Sequence, residues 1–274
     1  MTIADAQDAV PFGVLGMYPF PGLRPAWERL AAAVAERVRA AGHLAPGGLR
    51  WDLDPHDSWL HPDLAIGMSC GWPLVTALRN GVRVVGTLAA RAGSVEPPQP
   101  HLFRSVIVAR HERPLAELLG RLAAINSADS LSGNISLLSA FGLGAAWPGE
   151  VTLTGAHVRS LEAVRVGAAD VASIDGMTWV YYQRDEPAAV QDLHVVGHGP
   201  WVPGLPLILP ASASDAALEA WRVAFTDAVA AGEASDALLI DAFVPLDLAD
   251  YDTALAGLID RHMLRSGRHR PNVV

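Results

Sequence analysis

The sequence predicts an α/β fold with two mixed, mostly parallel sheets flanked by helices. Short apolar runs alternate with helical patterns along almost the whole chain, which is typical of this class. The chain has 274 residues, of which 51% are hydrophobic and 18% charged, so it can bury a large core and is not intrinsically disordered. Two proline-rich stretches, at residues 96–100 and 200–206, interrupt the alternation and suggest two lobes.

The elements expected in the first third follow from apolar periodicity and from the residues that bound helices. Pro25 suits the first turn of a helix and Gly42 suits its end, so a helix is predicted between them. The predicted strands cover residues 12–17, 49–53, 64–68 and 82–88, and the predicted helices cover residues 25–41 and 71–80.

The rest of the chain continues the alternation with shorter strands and ends in helices. The C-terminal third is predicted to be helical, because Trp221, Phe225 and Val229 recur at the spacing of a buried helix face. The predicted strands cover residues 102–109, 122–125, 151–153, 171–174, 193–196 and 205–209. The predicted helices cover residues 114–119, 132–142, 157–166, 175–182, 214–231 and 247–264.

The two proline-rich stretches are either surface loops or crossovers between two lobes. As crossovers, near residues 96–104 and 196–206, they would form a hinge. The first lobe would then consist of residues 1–98 and 200–274, and the second lobe of residues 99–199. A hinge between α/β lobes predicts a ligand cleft between them.

The charged residues exclude several classes of function. There are 20 basic residues against 29 acidic ones, and the net charge of −9 argues against a nucleic-acid partner bound through bulk charge. Every basic residue is Arg, which excludes Lys-dependent chemistry such as a Schiff base or a phosphate-binding P-loop. Arg, His and backbone N–H groups are left to bind an anion.

The cysteine count and the N-terminal sequence limit cofactors and location. The single cysteine, Cys70, excludes an internal disulfide and a multi-cysteine metal site, and no cofactor is predicted. No run of 18 apolar residues predicts membrane insertion. The first ten residues contain Asp5 and Asp8 but no basic residue, which is unlike a signal peptide. We therefore expect a cytoplasmic protein, periplasmic only if a leader has been removed.

Four strand-to-helix junctions carry small or polar residues where a helix is expected to begin. They lie at residues 69–72, 129–134, 154–157 and 175–178. Such junctions fall at the carboxyl ends of strands, where α/β sheets bind ligands and where unpaired helix N–H groups attract anions. Taken singly, their Ser, Asp and Thr residues are equally typical of helix caps, and a lone His is often a surface residue.

These junctions carry a resemblance to the phosphate-, phosphite- and phosphonate-binding proteins of ABC transporters. In that family Gly-Ser-His begins a helix, and Gly-x-Ala-Asp-x-Ala-x-Ile-Asp follows it. Here residues 155–157 read GAH and residues 167–175 read GAADVASID. Residues 130–133, SLSG, are similar to a hydroxyl-rich helix start in the family. Residues 70–74, CGWPL, resemble a CGYPL segment of leaderless members.

The resemblance, which extends from about Gly13 to Leu209, implies the type 2 periplasmic-binding-protein fold, with two lobes that close on a small anionic ligand. It names no particular transporter or regulatory partner. Leu131 and Ala156 each replace a hydroxyl of the family motifs, which leaves fewer donors. The implied ligand contacts are Ser130, Ser132, Gly133, Asn134, His157 and Asp175 from one lobe, with Tyr18, Ser69, Gly71 and Trp72 from the other.

A serine hydrolase is the first alternative, because residues 67–71, GMSCG, match G-x-S-x-G between a strand and a helix. Ser69 would be the nucleophile and Asp175 the acid, with His194 or His198 as the base. No His-Gly oxyanion segment precedes the motif, which counts against it. A Cys70–His157 nucleophile pair is a weaker variant, since a buried structural thiol explains Cys70 as well.

A metabolic enzyme on the same two-lobe fold is a further alternative, since some such enzymes use a Cys- or His-rich site for iron or as a sacrificial residue. One loop groups His and Asp residues that could hold a metal or could cap a short helix. These residues are Asp54, His56, Asp57, His61 and Asp63.

Overall fold

A computed structural model describes residues 10–18, 20–90, 97–233 and 235–266. Its contacts divide the chain into two compact units, each built from two separate segments. Unit 1 consists of Met1–Arg91 and Gly204–Tyr251, and unit 2 consists of Ala92–Pro203 and Asp252–Val274. The lobe bounds predicted from the sequence, residues 1–98 with 200–274 and residues 99–199, stay a prediction.

The described residues form twelve strands and ten α-helices. The strands are β1 Phe12–Val14, β2 Leu64–Met68, β3 Val82–Ala90, β4 Leu102–Phe103, β5 Val106–Ala109, β6 Ala123–Ile125, β7 Val151–Leu153, β8 Val171–Ile174, β9 His194–His198, β10 Val202–Pro203, β11 Pro206–Pro210 and β12 Ile240–Val244. The helices are α1 Arg24–Ala40, α2 Pro55–Ser58, α3 Gly71–Val75, α4 Ser136–Ala140, α5 His157–Arg165, α6 Gly176–Asp185, α7 Pro187–Val190, α8 Asp215–Ala230, α9 Ser235–Leu238 and α10 Leu248–Ser266.

Unit 1 is built on a five-stranded mixed sheet in the order β1-β2-β11-β3-β12. β1 pairs with β2 in parallel, whereas β11 and β12 run against their neighbours. A parallel bridge from Gly13 to Leu49 adds a third chain segment beside β1. The segments that follow β1, Leu49 and β2 therefore emerge at one edge of this sheet, which we call the carboxyl edge of unit 1.

Helices α1 and α8 pack together in unit 1, and α8 also packs on β3 and β12. Phe225 of α8 stacks on Phe243 of β12 with 5.3 Å between the ring centroids. Arg222 of α8 donates from Nε to the Val85 carbonyl at 3.0 Å and from Nη2 to the Leu246 carbonyl at 2.9 Å. One guanidinium therefore ties α8 to β3 and to the segment after β12.

Unit 2 has its own five-stranded sheet in the order β7-β6-β8-β5-β9. β7, β6 and β8 are parallel, and β5 runs against both β8 and β9. Two apolar clusters pack on the sheet, one containing Leu161, Val164 and Trp179, and the other Leu137 and Leu138. The carboxyl edge of unit 2 is formed by the ends of β6, β7, β8 and β9 and by the start of β5.

The mixed α/β architecture predicted from the sequence is confirmed, although several elements differ in length. The strand predicted at 49–53 is only the bridge at Leu49, and the helix predicted at 71–80 ends at Val75. The strand predicted at 102–109 is interrupted at residues 104–105, because β4 leaves the sheet to pair with β10. The sequence analysis did not find β10, β12, α7 or α9, and it gave the short helix α2 only as an alternative to a metal site.

The second proline-rich stretch pairs with the residues just after the first one and forms a small antiparallel ribbon with them. Val202 pairs with Phe103, and Pro203 pairs with Leu102. The hinge assigned to these stretches stays a prediction, and its first residue, Glu96, lies outside the described residues.

Within the part of the chain that the structure describes, no helix combines the length and the apolar character needed to cross a membrane.

Candidate functional site

The carboxyl edge of unit 2 brings three of the predicted junctions together. Asn126, Thr154 and Asp175 are the first residues after β6, β7 and β8. Backbone bonds join two of these loops: the Thr154 N–H donates to the Ile125 carbonyl at 2.9 Å, and the Gly155 N–H donates to the Asn126 carbonyl at 2.9 Å. Polar groups of three loops are thereby held at one edge of one sheet, where such sheets bind ligands.

A helix begins in the loop after β6 as a π-helical turn, Leu131–Ile135, and continues directly as α4. Ser130 caps it, because its Oγ accepts from the Gly133 N–H at 3.0 Å. The Leu131 and Ser132 N–H groups belong to the first turn and have no acceptor within the helix. This helix start therefore presents donors at the carboxyl edge of unit 2.

Ser132 and His157 form the centre of the hydrogen-bonded network. The Ser132 Oγ lies 2.9 Å from the His157 Nε2 and 3.5 Å from the Ser130 Oγ. Ser173 on β8 donates its hydroxyl hydrogen to the Ser132 carbonyl. Ser132 is buried, so these bonds hold its hydroxyl in a fixed place at the helix start.

His157 is uncharged at neutral pH in this environment. Burial lowers the pKa of its imidazole to about 4, and a backbone contact with Ser173 only partly opposes this shift. The Nε2 contact to Ser132 leaves Nδ1 buried without a hydrogen-bond partner. A neutral imidazole offers one donor and one acceptor, so Nδ1 is available for a ligand atom.

Gly133 allows a close approach that any side chain would prevent. A Cβ atom at this position would lie 1.8 Å from the Asn126 Oδ1. This Oδ1 is itself buried and has no hydrogen-bond partner. Sequence reasoning missed Asn126, although its place as the first residue after β6 matches that of Asp175 after β8.

Two further hydroxyls at the carboxyl edge of unit 2 were also missed. Ser105 precedes β5 and Ser136 begins α4, and both Oγ atoms are buried without a partner. Gly199, which follows β9, lies beside them: a Cβ on it would be 2.9 Å from the Ser136 Cβ and 3.5 Å from the Ser105 Cβ. The two hydroxyls therefore form a second group of unpaired donors.

Two of the predicted contacts have structural roles. The Asn134 Nδ2 donates to the Ala128 carbonyl at 2.7 Å, which holds the loop before the helix. The Asp175 Oδ1 accepts from the N–H groups of Met177 at 2.9 Å and Thr178 at 3.1 Å, and so caps α6. Asp175 is buried, and these two N–H groups stabilise its negative charge.

The four predicted contacts in unit 1 lie at its carboxyl edge. Tyr18 follows β1 and is buried, as is Trp72 in α3. Gly71 begins α3, directly after the loop that contains Ser69. The Ser69 hydroxyl is buried and donates to the Cys70 carbonyl at 3.3 Å. Their contact with a ligand stays a prediction.

The geometry of Ser69 offers no support for the hydrolase alternative. In the described residues its hydroxyl makes no hydrogen bond to a His ring, which a nucleophile needs for activation. His194 and His198 lie on β9 with exposed side chains. Cys70 is buried and is not part of a disulfide.

The His and Asp residues of the loop before β2 have structural partners. The Asp54 carboxylate accepts from the His56 N–H at 2.8 Å and caps α2. The His61 ring packs edge-on against Phe12 with 5.0 Å between centroids. Among the residues that the structure describes, no three His, Cys, Asp or Glu side chains are grouped as a metal site.

A cavity of about 430 Å³ in unit 1 opens at the opposite edge of its sheet, near Leu64 and Pro210. Its walls are mostly apolar, and its only charged lining residue is Asp63. A carboxylate without a neighbouring cation repels anions, so this cavity does not suit an oxyanion.

Comparisons with known proteins agree with this fold. No curated protein matches the sequence. The structure of PhnD1 from Prochlorococcus marinus in complex with methylphosphonate is similar with a TM-score of 0.71 at 12% identity, covering 94% of this chain and 98% of the other. XAC2383 from Xanthomonas citri bound to ATP gives a TM-score of 0.65 at 16% identity, with 92% and 98% covered.

A third solved structure comes from a named phosphonate transporter. The binding protein component of an ABC phosphonate transporter from Pseudomonas aeruginosa, PA3383, gives a TM-score of 0.66 at 16% identity, with 93% and 86% covered. These likenesses show a two-lobed periplasmic-binding-protein fold. The family model for the ABC-transporter phosphonate periplasmic substrate-binding protein matches residues 63–251, more than two thirds of the sequence. The chain belongs to this family of substrate-binding proteins.

Proposed function

We propose that this protein is a receptor that binds a phosphonate- or phosphate-like oxyanion at the carboxyl edge of unit 2. The observation that carries the proposal is a group of four buried polar atoms without partners: Asn126 Oδ1, His157 Nδ1, Ser105 Oγ and Ser136 Oγ. Each such atom costs the folded protein about 1–3 kcal/mol when nothing pairs with it. Native proteins rarely leave buried polar atoms unpaired, so a concentration of them at a ligand-binding edge supports a ligand site.

The chemistry of these groups suits a small tetrahedral oxyanion. The two Ser hydroxyls donate to oxygen, as do the Leu131 and Ser132 N–H groups at the helix start. Asn126 presents an acceptor in this orientation and a donor when its carboxamide is turned by 180°, so it can pair with a protonated or an ionised ligand oxygen. A phosphonate has three oxygens on one centre and can meet several of these groups at once.

Relatives with the same fold support this ligand class. The PhnD1 structure contains methylphosphonate, and the XAC2383 structure contains ATP. Both molecules carry oxygen atoms on phosphorus. We infer the same shared chemistry for this chain.

Calorimetric titration tests the proposal with inorganic phosphate, phosphite and methylphosphonate as probes. We expect the wild-type protein to bind at least one of them. Ser136→Ala removes one of the two unpaired hydroxyls and should weaken this binding about 10–100-fold, because a hydrogen bond to a charged group contributes about 1.5–3 kcal/mol. Ser139→Ala, one turn further along the same helix, is the control and should leave the affinity within about twofold. Failure of the wild-type protein to bind any of the three probes would refute the proposal.

We further propose that the protein binds its ligand without a catalytic step. A fluorophosphonate probe and iodoacetamide should label neither Ser69 nor Cys70 in the folded protein, because both side chains are buried. Rapid labelling of Ser69, lost in Ser69→Ala, would restore the hydrolase alternative.

The family implies that the bound ligand passes to an ABC transporter, and we propose a transporter subunit as the partner. Co-purification of a tagged chain with a transporter subunit from native cells would support this partner. The cytoplasmic location expected from the sequence stays a prediction, whereas the family is described as periplasmic. Cell fractionation decides between the two: recovery with a periplasmic marker would overturn the cytoplasmic expectation.

A further inference from the structure

Strand β7 is an open edge of the unit 2 sheet. It stands at the end of the strand order and pairs with β6 on one side. All three of its residues, Val151, Thr152 and Leu153, are exposed, and Leu153 is 66% exposed. An exposed edge with apolar side chains is a template on which another strand can pair, and natural proteins usually protect such edges.

The other edge strands of the two five-stranded sheets are protected. β1 is buried, and the bridge from Gly13 to Leu49 adds a chain segment beside it. β12 carries Asp241, and β9 carries His194 and His198. Polar and charged side chains at an edge hinder its pairing with another chain. Within the described residues, β7 has neither a covering segment nor a titratable side chain.

The backbone bonds beside β7 show which of its groups face outward. The Glu150 carbonyl accepts from β6 at 3.0 Å, and the Thr154 N–H donates to β6 at 2.9 Å. Backbone groups of successive residues in a strand point in alternate directions. Thr152 therefore faces β6 as well, and the N–H and C=O groups of Val151 and Leu153 point away from the sheet.

A second copy of β7 fits these outward groups when a two-fold axis passes beside Thr152. In this antiparallel arrangement Val151 lies opposite the partner's Leu153, and the two residues exchange both backbone hydrogen bonds. The symmetric pair does the same, so every outward backbone group of the strand gains a partner. The apolar side chains of each pair also pack against each other across the strands.

The charges that flank β7 are complementary in the same arrangement. Glu150 and Arg159 are both exposed, and neither forms an ion pair within the described part of the chain. The Arg159 Nε donates to the Thr154 carbonyl, which places its guanidinium at the end of β7. Because the axis sets Glu150 opposite the partner's Thr154, it also brings Glu150 close to the partner's Arg159. The symmetry makes this attraction occur twice.

We propose that β7 is the self-pairing surface of a homodimer, in which the unit 2 sheets of two copies join edge to edge in antiparallel orientation. The inference goes beyond the proposed function and does not depend on it. A two-fold contact is closed after two copies, so it does not continue into a filament. Because the strands are short and the interface is small, we expect a dissociation constant of about 1 μM to 1 mM.

Sedimentation equilibrium of the full chain, at concentrations up to about 1 mM, measures the dimer. Glu150→Arg places like charges together twice and should weaken the dimer about 10-fold or more. Adding Arg159→Glu reverses both charges and should restore the dissociation constant to within about threefold of the wild-type value. Glu117→Arg is the control, because Glu117 is exposed and lies before β6, and it should change the constant by less than about twofold.

Cysteine cross-linking tests the register of the pairing. At the axis the Thr152 Cα atoms of the two copies would lie about 4.5 Å apart, within the range of a disulfide. The corresponding distance for Leu153 would be about 9 Å, which is too long. Under mild oxidation Thr152→Cys should form dimers at least about 10-fold faster than Leu153→Cys. The wild-type protein, whose Cys70 is buried, gives the background rate.

Each result either supports or overturns the self-pairing of β7. A wild-type protein that stays monomeric at about 1 mM overturns it, and so do equal cross-linking rates for the two cysteine variants. Failure of the charge-reversed double variant to regain the dimer, with an unchanged melting temperature, overturns the contact between Glu150 and the partner's Arg159. Melting temperatures of all variants confirm that folded proteins are compared.

Discussion

Replacing Gly133 by Ala tests whether the close approach of the helix start to Asn126 matters for binding. The added Cβ would lie 1.8 Å from the Asn126 Oδ1, 2.9 Å from its Cγ and 3.2 Å from the Ser130 Oγ. Carbon and oxygen atoms that are not bonded rest at about 3.5 Å, so the Asn126 carboxamide must withdraw by more than about 1 Å. The nearest atom ends a short side chain without a hydrogen-bond partner, so the carboxamide can turn away and the fold should persist.

Two opposing terms set the effect of Gly133→Ala on stability. Overpacking costs about 1–3 kcal/mol, whereas Ala favours the helix over Gly by about 1 kcal/mol, so the free energy of unfolding should fall by about 0–2 kcal/mol. The affinity should fall more clearly, because the displaced carboxamide no longer meets the ligand. A lost hydrogen bond of about 1.5–3 kcal/mol corresponds to about 10–100-fold weaker binding.

Urea unfolding and calorimetric titration with methylphosphonate measure the two effects separately. Gly257→Ala is the matched control: Gly257 lies within α10, and a Cβ there would meet no atom within 4 Å. This control should gain about 0.5–1 kcal/mol and keep the wild-type affinity. If Gly133→Ala binds as tightly as the wild-type protein, neither the close approach nor Asn126 contributes to the site. If its stability falls by much more than about 3 kcal/mol, Asn126 does not relieve the clash.

Two further predictions concern stability. Burial lowers the pKa of His157 to about 4 from 6.5, so the unfolded chain binds a proton that the folded protein rejects. This group does not lower the free energy of unfolding above about pH 6.5, but it lowers it increasingly as the pH falls towards 4. Urea unfolding should therefore show that His157→Gln loses less stability between pH 7.5 and 5 than the wild-type protein does. Equal losses for the two proteins would contradict the assigned cause. Arg222→Met removes the donors to the Val85 and Leu246 carbonyls and should lower the free energy of unfolding by about 1–3 kcal/mol. The control, Arg29→Gln, should change the free energy of unfolding by less than about 0.5 kcal/mol. Similar values for the two variants would exclude this role for Arg222.

The sequence predicted most accurately those strands whose bounds are marked by residues adjacent in the chain. The bounds predicted for β2, β7 and β8 agree with the structure, because each is an apolar run that ends at a small or polar residue. β12 was missed because its pairing lies far away in the chain, on β3, and Asp241 interrupts its apolar pattern. The π-helical start at Leu131 was also not foreseen, since it depends on the Ser130 carbonyl accepting from the Ile135 N–H at 3.0 Å.

The residues of the candidate site also differ in whether a local sequence pattern indicates them. Ser130, Ser132, Gly133 and His157 could be proposed from the sequence because a helix start with hydroxyls and a glycine has a sequence pattern. Ser105, Asn126 and Ser136 have no such pattern. Their importance comes from the absence of a partner in the fold, which depends on tertiary packing. The sequence could have indicated only Asn126, from its place directly after a strand.

The absence of Lys and the net charge of −9 are consistent with anion binding because the charge that matters is local. At the carboxyl edge of unit 2, two backbone N–H groups stabilise Asp175 and burial keeps His157 neutral, so an anion bound at the proposed site would meet neutral donors. Neutral donors leave no unpaired cation when the ligand departs, but they leave buried polar atoms without partners, at about 1–3 kcal/mol each. A ligand that pairs with these atoms relieves this cost, and a ligand at 100 times its dissociation constant stabilises the fold by about 2.7 kcal/mol. The same unpaired atoms that weaken the free protein would thus make its stability respond to a ligand that pairs with them.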